Sequence, residues 1–279
     1  MKQLILTADD FGLAPEVNEA VEKAHKNGIL SAASLMIGGS AAKDAVARAK
    51  RMPLLRVGLH VTVVEDSPLL PAGDIPGLVD RNGSLRGDLG AFGAAILVKP
   101  STRRQLRREI RAQFEAYKAT GLALDHVNAH LHYHLHPIVL GEILASGLDY
   151  GMRALRVPIE PLGVLRRVEP TPTYPVALVA KAWALMMRQR ARRAGLVSTD
   201  QVFGLSWSGH MTEERLAGLI DNLPEGTTEI YTHPAMPGGH AGAAPGYGYA
   251  AELAALLSCR CRKAVERSAA KIGGYSDLL

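Results

Sequence analysis

The chain has 279 residues, 47% of them hydrophobic, and a formal net charge of +5 at pH 7. This composition is ordinary for a globular protein with a large core, and the presence of only two cysteines excludes a disulfide framework and favours a reducing compartment. The mild excess of basic residues lies on predicted helices with few aromatic residues between them, so we expect no nucleic-acid partner.

Strand and helix patterns alternate along the chain. The strand patterns are short apolar runs typical of strands buried on both faces, and the helix patterns repeat apolar residues at intervals of three and four. The predicted strands are 2–7, 32–37, 55–63, 122–127, 154–157, 201–206 and 229–232. The predicted helices are 15–27, one ending near 52, 101–118, 137–146, 176–193, 212–223 and one that begins near 249.

This alternation predicts one α/β domain over 1–279, a distorted (β/α) barrel of about seven parallel strands. Loop insertions are expected near 65–93, 158–175 and 234–248, and the first of them should lie over the site. A doubly wound open sheet is the alternative. Its nucleotide fingerprint is absent, because Gly246-Tyr247-Gly248 follows no strand and lacks the third glycine.

The N-terminus enters a strand pattern without a basic segment and an apolar segment ahead of it, so we expect no export. The most apolar stretch, 176–187, is interrupted by Lys181 and is shorter than the roughly 20 residues that span a bilayer. We therefore expect a cytoplasmic protein without a membrane span.

Two adjacent carboxylates, Asp9 and Asp10, follow the first predicted strand. Like charges this close raise each other's pKa unless a cation or a hydrogen-bond donor compensates them. Taken alone, the pair is typical of an Asx turn or a helix N-cap ahead of Pro15. The alternative is a metal ion shared with residues from later strands.

Other titratable residues also stand at or near the ends of predicted strands. His60 ends the third strand, Arg156 lies on the fifth and His233 ends the seventh. Because the carboxyl ends of parallel barrel strands gather at one rim, these side chains should meet Asp9 and Asp10 there. Alone, His60 would be typical of a core histidine, and His233 before proline would be as consistent with a structural turn.

Histidines alternate along the segment 126–136. At a period of two they would fill one face of an extended segment with imidazole, and at most one or two of them could bind the same ion. We expect the others to orient ligands, contact substrate or titrate. The five are His126, His130, His132, His134 and His136.

One aspartate with two histidines would give a metal ion three protein ligands and leave positions open, the layout of a catalytic site. Such ligands suit Zn²⁺, but also Fe²⁺, Co²⁺, Ni²⁺, Mn²⁺ and, with more water, Mg²⁺. The second aspartate would then be free to accept a proton, and His233 could protonate a leaving group.

Five blocks of the sequence together resemble the signature blocks of the YdjC/ChbG-like carbohydrate deacetylases. They are 7–12, 58–60, 130–134, 156–158 and 233–234. The resemblance covers essentially the whole chain and implies a barrel of the glycoside hydrolase/deacetylase kind that removes N-acetyl groups from small glycans with a divalent metal ion. The segments 68–80, 121–130 and 150–156 are similar to the hopanoid biosynthesis-associated deacetylases, HpnK.

The resemblance also implies roles for individual residues. Asp10, His60 and His130 would hold the metal ion, Asp9 would be the base and His233 the acid. The family often has Asp-x-His-His-His where this chain has Asn128-Ala-His130-Leu131-His132, so the residues around the ligands depart from the family pattern. The side chains expected to contact substrate, with a structural ion pair as the alternative for the two arginines, are Arg153, Arg156, His132 and His134.

The closer resemblance implies an N-acetylglucosaminyl hopanoid as substrate, a homodimer, and peripheral contact with the inner membrane surface. The basic end of helix 176–193 could touch anionic headgroups, or it could only complement the helix C-terminus. Two rival functions stay open. One is a metal-dependent phosphoesterase or sugar isomerase, and the other is non-enzymatic metal binding.

Overall fold

The structure is a computed structural model that describes residues 1–172 and 175–279, with side chains given outside 173–181. Residues 173 and 174 of the predicted insertion 158–175 therefore lie outside the described residues. The same is true of the side chains of the first six residues, 176–181, in the predicted helix 176–193.

Parallel strands form one curled sheet whose order is β4-β3-β2-β1-β6-β5, with β7 pairing only with β1. Their bounds are β1 Lys2–Phe11, β2 Ala32–Leu35, β3 Arg56–Val61, β4 Val127–Ala129, β5 Gln201–Phe203, β6 Gly226–Thr232 and β7 Lys271–Ile272. The first strand is central, since Ala8 is paired with Ala33 on one side and with Thr232 on the other. This position explains why β1 is almost wholly buried.

Helices cover the outside of the sheet. The first of them buries Val17, Ala20, Val21 and Ala24, the apolar face that the spacing predicts. The helices are α1 Pro15–Asn27, α2 Ala42–Lys50, α3 Leu89–Val98, α4 Pro100–Ala119, α5 Pro137–Asp149, α6 Leu162–Val168, α7 Pro175–Arg193, α8 Glu213–Asp221, α9 Tyr249–Leu257 and α10 Cys259–Ser268. In the described part of the chain, no helix combines the length and hydropathy needed to cross a membrane.

The segment 154–159 bridges the two edge strands of the sheet. Arg156 N donates to Val127 O of β4 (2.9 Å), and Val202 N of β5 donates to Ile159 O (2.8 Å). The predicted strand 154–157 is thus present only as isolated bridges, because Pro158 cannot donate to a ladder. The prediction of a distorted parallel barrel is confirmed.

The prediction that 126–136 is one extended segment with histidines on a single face is wrong. Strand β4 ends at Ala129, and His130–Leu135 is a 3₁₀ turn in which Leu131 and His132 both have a φ of 51°. The chain must turn here from the rim of the barrel into α5, which begins at Pro137. The five histidines therefore point in different directions.

Three further differences concern loops and ends. The predicted insertion 65–93 holds a 3₁₀ turn, Ala72–Asp74, an antiparallel bridge between Val79 and Leu85, and the start of α3. The insertion 158–175 contains α6. The predicted C-terminal helix is two helices, because Ser258 interrupts it and caps α10 by accepting a hydrogen bond from Cys261 N (3.0 Å).

Candidate active site

The two adjacent aspartates occupy the last residues of β1 rather than the loop after it. Successive side chains of a strand point to opposite faces. Asp10 departs from this rule because its φ is +62°, in the left-handed region, where the pairing of β1 with β2 shifts register. As a result both Asp9 and Asp10 line one cavity at the carboxyl end of the barrel.

The three predicted metal ligands, Asp10, His60 and His130, lie together. The Oδ1 of Asp10 lies 3.2 Å from His60 Nε2 and 3.1 Å from His130 Nδ1, and one ligand atom from each residue lies within 4.8 Å of the others. Burial opposes ionisation of Asp10, but the charge and hydrogen bond of His130 hold its pKa well below the usual range. An oxygen and two imidazole nitrogens that converge in this way could hold a divalent metal ion.

Asp9 is held by a different group of residues. Burial disfavours its charge, but Arg156 donates from Nη1 to Asp9 Oδ2 (2.5 Å) and from Nη2 to Oδ1 (3.0 Å), and the pKa of Asp9 is lowered. The same guanidinium donates from Nε and Nη2 to Glu229 (2.9 and 2.7 Å). Arg156 is 0% exposed, and these two carboxylates compensate its charge. The structure therefore favours the ion-pair interpretation of Arg156 over contact with substrate.

The other predicted substrate-contacting residues divide in two. His132 lines the cavity, and its Nε2 lies 2.9 Å from the Tyr231 hydroxyl. His134 is wholly buried, and its Nε2 donates to Arg156 O (3.0 Å), while burial lowers its pKa to about 3. Arg153 is exposed and precedes the bridging segment, so it lies towards the amino ends of the strands and away from the carboxyl ends where the cavity is. Neither His134 nor Arg153 lines the cavity.

Two histidines of the 126–136 segment have local structural roles. His126 is wholly buried between Asp125 and Ser34. His136 accepts a hydrogen bond from Ile138 N (3.3 Å) at the start of α5. Only His130 and His132 of the five line the cavity.

Comparison of the sequence with known proteins places this chain in a family. The family model described as YdjC-like protein matches residues 3–267. The chain belongs to the YdjC-like family. A carbohydrate deacetylase from Brevibacillus brevis is 28% identical over 84% of this chain and 81% of its own length, and one from Mus musculus is 32% identical over 84% and 78%.

A solved structure supports the fold of this YdjC-like chain. It is named for a cellobiose-phosphate cleavage protein from Enterococcus faecalis, and it matches with a TM-score of 0.76 at 23% identity. The match covers 99% of this chain and 98% of that one. At this identity the likeness shows that the barrel is shared.

The predicted acid, His233, lies at the mouth of the same YdjC-like site. Its backbone N donates to Glu252 (2.5 Å), and its ring packs edge-on against Tyr231, with centroids 5.6 Å apart. The ring atom Nδ1 is buried without a hydrogen-bond partner in the described structure. His233 is thus held by its backbone, and its imidazole keeps one ring nitrogen without a hydrogen-bond partner among the described residues.

Several residues that line the cavity were missed by sequence reasoning. The cavity has a volume of about 380 Å³. The missed residues are Glu65, Asp66, Tyr231, His240, Tyr247 and Tyr249. One signal could have identified Tyr231, because it alternates with Glu229 along β6 and with His233, which directly follows the strand, so the three should share a face. The loop residues carry no comparable local signal.

Proposed function

We propose that this protein hydrolyses the N-acetyl group of an N-acetylated amino sugar, and that its substrate is an N-acetylglucosaminyl hopanoid. One observation carries the reaction type: a carboxylate held by Arg156 lies directly beside a separate trio, Asp10, His60 and His130, that could hold a divalent metal ion. The names of the YdjC-like relatives, carbohydrate deacetylases, support the same reaction.

The proposed roles follow from what each side chain contacts. Asp10, His60 and His130 would hold the ion, and the ion would supply polarisation of the amide carbonyl and a lower pKa of the attacking water. Asp9 is kept ionised by Arg156 and takes a proton from the attacking water as the water oxygen adds to the carbonyl carbon. His233 gives a proton to the amine nitrogen as the carbon–nitrogen bond breaks, so acetate and a free amino sugar are released.

The cavity wall supports a sugar as the group that enters. Tyr247 and Tyr249 pack with ring centroids 5.5 Å apart, and Tyr247 also lies 5.5 Å from His233. Aromatic faces bind the apolar faces of sugar rings, and a few polar groups then fix orientation. Glu65 and Asp66 also line the cavity and could accept hydrogen bonds from sugar hydroxyls.

Exposed apolar side chains near the site support a lipid-linked sugar and a peripheral membrane contact. Leu131 lines the cavity and is 44% exposed, and the turn that carries it is tied to α7 because Trp183 Nε1 donates to Leu135 O. On α7, Trp183 and Met186 are 36% and 49% exposed. An apolar rim of this kind suits a substrate whose aglycone stays in a bilayer.

The test uses purified enzyme loaded with a divalent metal. It is incubated with an N-acetylglucosaminyl lipid, with chitobiose and with a phosphate ester, and acetate, phosphate and product mass are recorded. We expect acetate to be released from the lipid-linked sugar and no phosphate to be released from the phosphate ester. Release of phosphate, or isomerisation without acetate, would establish a rival function, and a preference for chitobiose would overturn the hopanoid assignment.

A flotation experiment tests the membrane contact separately. We expect the protein to float with vesicles that contain anionic lipid, and the Trp183→Ala and Met186→Ala variants to float less. Absence of the wild-type protein from the vesicle fraction would remove the membrane contact from the proposal and leave the hydrolase activity untouched.

A further inference from the structure

A buried amide joins the two groups of the site. Asn128 is the wholly buried middle residue of β4, and its Nδ2 donates to Asp9 Oδ1 (3.1 Å) and to Ser34 Oγ (2.9 Å). Its Oδ1 lies 2.7 Å from His60 Nδ1. We propose that Asn128 is a positioning residue that serves both groups at once, by orienting the carboxylate of Asp9 and by fixing the tautomer of His60. This inference rests on the proposed function.

The direction of every bond around Asn128 follows from its neighbours. A carboxylate only accepts hydrogen bonds, so the group that faces Asp9 must be the amide nitrogen. The amide oxygen then faces His60 and can only accept, so His60 carries its proton on Nδ1. Exchanging the amide oxygen and nitrogen would set an oxygen against the carboxylate of Asp9, so the bond to Asp9 would be replaced by a repulsion between two acceptors.

The chain of hydrogen bonds continues from Asn128 through Ser34 and His126, and it fixes the orientation of the amide. Ser34 Oγ accepts from Asn128, so its own proton is directed to His126 Nε2 (3.0 Å). His126 Nδ1 in turn donates to Asp125 Oδ2 (2.9 Å). Because both ends of this chain are carboxylates that only accept, the internal donors and acceptors have one consistent arrangement.

The consequence for His60 concerns its other ring nitrogen. With the proton on Nδ1, a neutral His60 presents the lone pair of Nε2 towards Asp10 Oδ1, 3.2 Å away. Two acceptors at this distance repel unless a cation or a proton lies between them. The amide of Asn128 therefore prepares His60 as a metal ligand, in the way that hydrogen bonds to ligand histidines commonly do.

The test compares three variants with the full-length wild type. Metal affinity is measured by titrating the metal-depleted protein with Zn²⁺, and the tautomer of His60 is read from ¹⁵N shifts of labelled histidine without metal, with His60→Gln to assign the signal. We expect Asn128→Ala to lose the Nδ1–H signature and to bind the ion at least about tenfold more weakly. Asn128→Asp retains an acceptor for His60, so it should keep the signature and stay within about threefold of wild-type affinity.

Gln201→Ala is the matched control, because it also removes a buried amide, one that donates to Thr228 Oγ1 (2.9 Å) on β6. It should lower stability and leave metal affinity unchanged. The Asp9 part of the proposal is tested by acetate release at saturating metal, where kcat of Asn128→Ala should stay at least about tenfold below wild type, with KM within about threefold.

Each part can fail separately. An unchanged tautomer and unchanged affinity in Asn128→Ala would overturn the His60 part, and full recovery of kcat at saturating metal would overturn the Asp9 part. If Asn128→Ala does not fold, loss of metal binding by Asn128→Asp would overturn the proposal, and retention would support it. If the wild type releases no acetate, the proposed function fails, while the affinity and tautomer results still decide the role of Asn128.

Discussion

The cavity has a floor and a wall that are built in different ways. The floor is lined by Asp9, Asp10 and His60, with the buried Asn128 and Arg156 directly behind them. These five residues, which we call the floor, come from β1, β3, β4 and the bridging segment 154–159, and hydrogen bonds or ion pairs connect all of them. The wall consists of Glu65, Asp66, Tyr247 and Tyr249, which come from loops or the start of a helix. The floor should therefore determine the reaction, and the wall should determine which glycan is bound.

The difference also shows in the backbone bonds. Strands β1 and β6 are paired over seven registered positions from Lys2 to Ala8, so the floor moves only if the sheet moves. The segment 234–248 of the wall contains Gly238, Gly239, Gly242 and Gly246, all with positive φ. A floor variant should thus alter chemistry and stability, whereas a wall variant should alter affinity with little effect on stability.

Removal of the proposed metal ion from the floor is the largest expected change. Dialysis against a chelator should lower acetate release by about three orders of magnitude, because the ion supplies several kcal/mol of transition-state stabilisation. Adding back Zn²⁺, Co²⁺ or Mn²⁺ should restore the rate, and the metal that restores it best is the one that best supports the reaction at this site. Full activity in a chelated sample whose metal content is verified as zero would contradict the proposal.

Breaking the buried ion pair of the floor comes next. Arg156→Met leaves Asp9 and Glu229 as unpaired buried charges, so the free energy of unfolding should fall by about 3–5 kcal/mol. Arg267→Met is the matched control, because Arg267 pairs with Asp221 at the surface and its loss should cost below about 1 kcal/mol. Urea denaturation measures both, and equal losses would show that burial of Arg156 carries no special weight.

The C-terminal turn, which packs beneath the floor, makes a pH-dependent contribution to the stability of the fold. Asp125 accepts hydrogen bonds from Tyr275 N (3.1 Å) and Ser276 N (2.9 Å) of the turn Tyr275–Leu278. Burial opposes its charge, but His126 and the hydrogen bonds from Ser276 lower the pKa of Asp125 to about 2. A carboxylate whose pKa is lower in the folded than in the unfolded protein stabilises the fold at pH values above its unfolded pKa. This stabilisation is lost as the pH falls through the folded pKa.

The corresponding measurement is urea unfolding of wild type and Asp125→Asn between about pH 5 and about pH 2. The free-energy advantage of the wild type should shrink by about 2 kcal/mol over this window, because the folded and unfolded pKa values differ by almost two units. A constant difference across the window would show that Asp125 has an ordinary pKa in the folded protein.

The wall should give the smallest effect. Tyr247→Ala removes an aromatic face from the cavity, so KM should rise by about tenfold while kcat changes by less than about threefold. Tyr150→Ala, which removes an aromatic ring that stacks on Phe114 away from the cavity, is the control and should leave KM unchanged. A larger fall in kcat than rise in KM would move Tyr247 from the wall to the reacting groups.

The rim was predictable from the sequence because topology alone brings strand ends together. Asp9, Asp10, His60 and His233 each follow a recognisable apolar run, and the alternation of strands and helices predicts a parallel barrel. His130 was also placed at this rim, although β4 was expected five residues too early. In these cases a local pattern and a general rule of barrel geometry suffice.

The other residues depend on interactions that no local pattern reports. The left-handed residues Leu131 and His132 are neither glycine nor asparagine, so nothing in the sequence signals the turn that ends the histidine alternation. Whether Arg156 points to substrate or to buried carboxylates depends on Glu229, which is distant in sequence. Tyr247 and Tyr249 reach the cavity only because a long loop folds over it.

The central claim is that Asp9 and Asp10 have different roles although they are adjacent. The most direct test measures bound metal and acetate release for the matched variants Asp9→Asn and Asp10→Asn, with unfolding midpoints as the control for folding. We predict that Asp9→Asn keeps wild-type metal content and loses about a thousandfold in turnover, whereas Asp10→Asn loses the metal first. Equal loss of metal in both variants would contradict this division of roles.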